Sequence, residues 1–180
     1  MSENLHALMS GIAEGEMDAL GELYDLLSGR IFNYALTITR NREMAEDITH
    51  DVFLQINRHA VRIAKLTNPT SYIMVTTRNH CYNLLKRGSQ AAVSLNDILE
   101  VSDISSPYDR VLFDDAYSRL PPSQRETIYL HLICGFSHKD VAQIQNAPLV
   151  TIKWRYGKAL ARLKAYFTQG EKEENYNESL

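Results

Sequence analysis

The sequence predicts an all-α protein: two small helical domains joined by a flexible linker, the C-terminal one containing a helix-turn-helix. Three observations carry that prediction. Apolar residues recur at three- and four-residue spacing along nearly the whole chain, and no run alternates as a strand would. Residues 88–106, GSQAAVSLNDILEVSDISS, interrupt the pattern with serine and small side chains and contain no lysine or arginine. Residues 137–163, SHKDVAQIQNAPLVTIKWRYGKALARL, read as a helix, a tight turn and a second helix.

Each element follows from local signals. Leu5, Leu8, Met9 and Ile12 form an amphipathic stripe, with Ser2 available as a cap. Ala19, Leu20, Leu23, Tyr24 and Leu27 continue it, and after Ser28-Gly29 it resumes with Ile31, Phe32, Ala35 and Ile38. Ala45, Ile48, Val52 and Ile56 mark a third helix capped by Asn41. A fourth runs from near Thr70 to about Arg87 and turns Ile73, Thr77, Cys81, Leu84 and Leu85 inward. Beyond the linker, which holds a short helical turn around 95–99, Ser106-Pro107 opens a helix with Leu112, Ala116 and Leu120 as its buried stripe. Pro121-Pro122 ends that helix and starts the next, which buries Ile128, Tyr129 and Leu132 until Gly135 stops it. Ser137 caps the following helix, buried through Val141, Ala142 and Ile144. Asn146 suits a left-handed turn position, and Pro148 pre-sets the second helix. That helix buries Ile152, Tyr156, Ala159, Leu160, Leu163 and Phe167. The expected organisation is a first domain at 1–87, a linker at 88–106, a second domain at 107–168 and an acidic tail at 169–180, with the tail disordered.

Composition narrows the function. Apolar content of 44% and charged content of 23% are those of an ordinary soluble protein. The N-terminus, MSENLHALM, lacks a basic start followed by an apolar run, and no stretch approaches the roughly 20 apolar residues of a membrane span. A cytoplasmic protein with no membrane insertion of its own is expected, with Cys81 and Cys134 as free thiols. The formal charge of −3 conceals an uneven distribution. Setting aside the four glutamates and one lysine of residues 171–180, 18 basic and 18 acidic residues remain. Acids cluster in REMAEDITHD at 42–51, whereas residues 139–166 hold six bases and one acid. Two kinds of partner surface follow, or, more plainly, two solvated helix faces.

With its apolar face turned inward, the last helix presents Thr151, Lys153, Trp154, Arg155 and Lys158 on the other side near its N-terminal end. That is where a recognition helix offers side chains to the major groove. Lys and Arg reach phosphates or guanine edges, and Thr or Trp packs on a thymine methyl. A helical hairpin with a solvated basic face would show the same pattern. There is no phosphate-binding glycine loop and no nucleophile–base arrangement, so neither catalysis nor a cofactor is expected. His131, Cys134 and His138 put three soft ligands within eight residues. However, Gly135 breaks the helix between them and no fourth ligand is evident, so no metal site is expected.

The stretch LPPSQRETIYLHLICGFSHKDVAQI followed by TIKWRYGKALARLK resembles domain four of bacterial extracytoplasmic-function (ECF, group 4) sigma factors of the sigma-70 family. Leu120-Pro121-Pro122, Gln124-Arg125-Glu126, Gly135-Phe136-Ser137 and Ala142-Gln143-Ile144 match the family pattern. AEDITHDVFLQI at 45–56 is similar to the family's core-binding helix, and TSYIMVTTRNHCYNLLKR at 70–87 to its promoter-melting helix. The resemblance spans roughly 10–168. It departs at Tyr72, where the family has Trp, at Asn83, where it has Asp, at Gln145-Asn146, where it often has Leu-Gly, and at Val150 and Trp154, where it has small residues.

The resemblance implies an alternative sigma factor, not itself an enzyme, that binds core RNA polymerase through the clamp helices and flap of its large subunits. It also implies promoter DNA as a partner and control by an anti-sigma factor. Glu46, Asp47, Asp51 and Gln55 would dock on the clamp helices. Tyr72, Arg78, Asn79, Asn83, Lys86 and Arg87 would work on the −10 element: Asn79 holds an unpaired base, Tyr72 or Tyr82 stacks on it, and Lys86 and Arg87 track the backbone. Tyr82 reads as rim packing. The basic recognition helix would meet the −35 element. A near-neutral chain with one basic helix neutralises few phosphates, so it should bind a promoter weakly alone and well beside polymerase. One rival is a stand-alone helix-turn-helix regulator that binds an operator as a dimer. The acidic helix at 43–56 and the lack of an obvious dimerisation helix weigh against it. Another is a metal- or redox-sensing module built on His131, Cys134 and His138.

Overall fold

A computed structural model describes residues 2–87 and 107–177, and among them every regular element is a helix. The linker expected at 88–106, with its turn at 95–99, lies outside the described residues. The first half comprises α1 (Ser2–Glu14), α2 (Met17–Thr39), α3 (Arg42–Arg58), α4 (Ala60–Ala64) and α5 (Pro69–Lys86). The second comprises α6 (Pro107–Ser118), α7 (Pro122–Ile128), a π-helical turn (Tyr129–Ile133), α8 (His138–Ile144) and α9 (Leu149–Asn177).

Capping sets the boundaries. Arg40 turns left-handed (φ 52°) to close α2, and the Asn41 side chain accepts from the Met44 N–H to start α3. Asn68 does the same for Ser71 N–H at the head of α5, with Pro69 at its first position. Ser28-Gly29 does not interrupt α2, which runs straight through, and α4 is a short extra helix that the periodicity did not reveal. Leu23, Ile31, Ile48, Val52, Ile56, Ile63 and Ile73 are all but fully buried where the first-half helices meet.

The second half departs from the expected phase in one place. After Ile128 the helix widens into a π turn, closed by Cys134 N–H donating to the Tyr129 carbonyl at 2.9 Å. The extra residue in that turn rotates the following side chains. Leu130 therefore becomes the buried residue, and Leu132, expected inside, is 52% exposed. Leu160, also expected inside, lies at the surface of α9. The α9 backbone stays helical to Asn177, well into the tail expected to be disordered. That segment is rich in Glu, Gln and Lys, good helix formers that extend an existing helix. Gly135 at φ 75° makes the turn that ends the π segment. An added Cβ there would meet nothing within 4 Å, so Gly135→Ala is expected to cost only the left-handed backbone strain, about 1–2 kcal/mol. A lower urea midpoint at unchanged m would show it.

The two halves are docked on one another. α7 packs on α2, and α8 packs on α5. The Tyr34 ring stacks on Tyr129 at 5.8 Å, and the Tyr129 hydroxyl donates to the Arg30 carbonyl at 3.0 Å. Tyr117 donates to the Arg125 carbonyl and lies 3.4 Å from the Thr37 hydroxyl.

Candidate polymerase and nucleic-acid surfaces

Three surfaces hold the predicted residues. On α3, Asp47, Asp51 and Gln55 follow one another at four-residue intervals, which lines them up along one face. Both aspartates are exposed and Gln55 is half-buried. Glu46, also exposed, is braced by the Arg42 guanidinium at 3.0 Å, and Asp51 has His80 at 4.0 Å. The sequence reading overlooked the apolar part of this surface. Leu54 shares the Asp47–Asp51 face and is 42% exposed. Tyr24, 50% exposed, leans on Phe53 with ring centroids 4.8 Å apart. A cleft of about 320 Å³ between α2 and α3 is lined by Tyr24, Phe32, Arg42, Glu46 and His50. An acidic rim beside exposed aromatic and leucine side chains suits a basic, amphipathic partner helix. The seven-residue spacing from Asp47 to Leu54 was the signal that could have found it.

On α5 the predicted −10 residues divide between two faces. Tyr72, Asn79, Asn83 and Lys86 share one face, with Arg87 at the end. Asn79, Asn83, Lys86 and Arg87 are exposed, and the half-buried Tyr72 ring lies 5.8 Å beneath the Arg62 guanidinium. Arg78 is not with them. It turns toward the second half, where its Nε donates to the Glu126 carboxylate at 2.6 Å, with the guanidinium 4.5 Å above the Tyr82 ring. Glu126 is 2% exposed and also accepts from the Tyr34 hydroxyl at 2.7 Å and the Tyr82 hydroxyl at 3.4 Å. Burial pulls the Arg78 pKa down, but the Glu126 charge and hydrogen bond outweigh it and raise it overall. Burial first, and then the Glu126 charge, hold the Tyr34 and Tyr82 hydroxyls above their ordinary pKa, so both remain donors.

The helix-turn-helix forms as the sequence indicated. Ser137 and Asp140 make a capping box on α8, and Asn146 is left-handed at φ 48°. Lys153, Trp154 and Lys158 are exposed on α9, Trp154 at 59% with Val150 one turn before it at 74%, and Thr151 is half-buried. Arg155 is tied back: its Nη1 donates to Gln145 Oε1 at 2.7 Å, while Gln145 Nε2 donates to the Thr127 hydroxyl at 3.1 Å. The departure at Gln145 therefore gives this turn a buried polar link between α7 and α9. The His131 and His138 rings lie 3.9 Å apart with Tyr156 edge-on to both. Burial, then His131, then Lys153 hold His138 below its ordinary pKa. Burial pushes the Cys134 thiol up to about 11. Among the described residues, no three His, Cys, Asp or Glu side chains gather as a metal site.

Two family models match this chain: Sigma-70 region 2 over residues 23–90, and Sigma-70, region 4, over residues 110–163. The chain belongs to the sigma-70 family. Its curated relatives are named as extracytoplasmic-function sigma factors. It is 28% identical over 178 residues to the ECF RNA polymerase sigma factor BldN of Streptomyces coelicolor, covering 90% of this chain and 66% of that one. It is 26% identical to the ECF RNA polymerase sigma factor SigK of Mycobacterium sp. (strain JLS), covering 91% of each. Two solved structures share the fold. CnrH in complex with the cytosolic domain of CnrY has TM-score 0.64 at 16% identity, covering 92% of this chain and 98% of that one. RpoE of Bartonella quintana, in complex with the anti-sigma factor NepR, has TM-score 0.62 at 20% identity, covering 82% and 96%. Region 2 thus carries most of α2 through α5, and region 4 carries most of α6, then α7, the π turn, α8 and the first half of α9. No described helix is long and apolar enough to cross a membrane.

Proposed function

We propose that this chain is an alternative sigma factor: a cytoplasmic, non-catalytic subunit that binds core RNA polymerase and directs initiation at its own set of promoters, held in check by an anti-sigma protein. The observation that carries the reading is one chain with an exposed acidic face on α3 in region 2 and an exposed basic recognition helix in region 4. Acids repel DNA and attract a basic protein partner, while lysines beside a helix-turn-helix do the reverse. Glu46, Asp47, Asp51 and Gln55 dock on the clamp helices of the large polymerase subunits, with Leu54 and Tyr24 adding apolar contact, and region 4 reaches the flap. Asn79, Asn83, Tyr72, Lys86 and Arg87 meet the −10 element, and Thr151, Lys153, Trp154 and Lys158 the −35 element. Two relatives of the same fold are known in complexes with anti-sigma or cytosolic partner domains, which supports a comparable partner here.

Binding of the full chain to bacterial core polymerase tests the proposal. Asp47→Arg places a like charge against a basic partner and is expected to weaken binding by about tenfold or more, with the thermal midpoint unchanged because the side chain is exposed. A housekeeping sigma factor should compete. Undiminished binding of the variant would remove α3 from the interface. No binding to core, together with specific binding to duplex DNA by the chain alone, would make it an operator-binding regulator instead.

A further inference from the structure

Both arginines of α9 are held within region 4. Arg155 donates to Gln145, and further down the helix Arg162 Nη1 donates to Gln124 Oε1 at 2.9 Å. The two glutamines are themselves fixed, each 4% exposed. An arginine reads guanine with its paired N–H groups, which must be free to reach the base edge. This recognition helix therefore meets the base pairs with what remains near its N-terminal end, the part that enters the major groove. What remains there is apolar. Val150 and Trp154, two of the most exposed large apolar side chains of the molecule, lie one helical turn apart on the same face. Lys158 continues that row by one more turn, and Lys153 flanks it. Gly157, exposed on the same side, has no side chain to hold a duplex off. Lys139 is exposed on α8, the helix that crosses the backbone in this motif. Lysines around an apolar pair suit a groove walled by phosphates better than they suit a protein surface.

We infer that Val150 and Trp154 set the base specificity of region 4 by packing on thymine methyl groups in the −35 element, with Lys153 and Lys158 on the flanking phosphates. The inference rests on the sigma reading above and names the base chemistry that its upstream contact recognises. The C5-methyl of thymine is the apolar group that an unmodified base pair presents in the major groove. One helical turn covers about 6 Å, close to two base-pair steps of about 3.4 Å, so the two side chains reach thymines one or two steps apart. A lysine acts as a point charge and holds a phosphate without a planar fork, which fits Lys153 and Lys158 to positioning rather than to reading.

The test uses the full chain reconstituted with bacterial core RNA polymerase and a randomised duplex library. The selected sequence is remade with deoxyuridine in place of thymine in its upstream element only, which removes the methyl groups and keeps every hydrogen-bonding edge. The parent holoenzyme is expected to bind the uracil duplex about tenfold or more weakly, about fourfold for each of two buried methyl groups. In Trp154→Ser the ratio should fall to about fourfold or less, and adding Val150→Ala should abolish it. Both positions are exposed, so the variants should melt as the parent does. The comparison on the parent needs no variant and stands even if neither folds. Equal affinity of the parent holoenzyme for the two duplexes would overturn the inference, and so would a full ratio in the double variant. Equal affinities together with weaker core binding by Trp154→Ser would make the pair a protein contact instead. Failure of the chain to bind core would count against the sigma reading, and the same comparison on duplexes selected by the chain alone at low salt would still judge the methyl contact.

Discussion

Replacing Arg78 with alanine is expected to weaken the closed arrangement by about 3–5 kcal/mol, the cost of leaving a buried carboxylate without its counter-charge. Glu126 is 2% exposed and would keep only the two tyrosine hydroxyls. The chain has a way to limit that loss, because separating the halves returns Glu126 to water. The loss should therefore appear less as global unfolding than as lost cooperation between regions 2 and 4. Urea denaturation followed by circular dichroism should broaden or split into two steps in Arg78→Ala, where the parent shows one. Exchanging both charges for apolar groups, Arg78→Met with Glu126→Leu, is expected to restore most of the single transition, since a buried pair and a well-packed apolar pair are of similar stability. A loss below about 1 kcal/mol in Arg78→Ala would mean that the pair is effectively solvated and contributes little to docking.

Ile48→Ala should cost about 2–5 kcal/mol, because the side chain is fully buried in the first-half core and alanine leaves a cavity there. Asp47, its neighbour in sequence, lies about 100° around the helix and is exposed. The two substitutions should therefore separate stability from docking. Ile48→Ala lowers the denaturation midpoint, yet at temperatures where it remains folded it binds core polymerase as the parent does. Asp47→Arg leaves the midpoint in place and loses the binding. Melting curves measured alongside core-binding titrations on both proteins would check this. Equal loss of binding in the two would mean that α3 acts through its packing rather than through its charged face.

How far the chain could be read in advance depended on how local each feature is. Asn41 was legible as a helix cap and Asn146 as a left-handed turn, because a cap or turn is decided by the residues within one helical turn of it. The recognition helix was legible for the same reason: Ile152, Ala159 and Leu163 fix which face is buried, and Lys153, Trp154 and Lys158 fall on the other. Leu132 was misplaced because it lies within the π turn, which shifts the phase by one residue, and no local residue type announces such a turn. Arg155 looked free among the bases of α9. Its tie to Gln145 depends on how α8 crosses α9, which spacing along α9 cannot report.

By itself the sequence determined the fold class, the two-region organisation, the family, and the sorting of acids onto α3 and bases onto α9. All of these rest on periodicity, caps, charge and motif, quantities carried along the chain. Only the tertiary structure decided that Arg78 leaves the exposed face of Asn79 and Asn83, that Tyr34 and Tyr82 join it, and that Glu126 is the anion they hold. Those contacts close across 44 to 92 residues. A guanidinium that faces solvent and one that faces a carboxylate on another domain have the same neighbours in sequence. Which of the two occurs is settled by the docking of α7 against α2 and of α8 against α5.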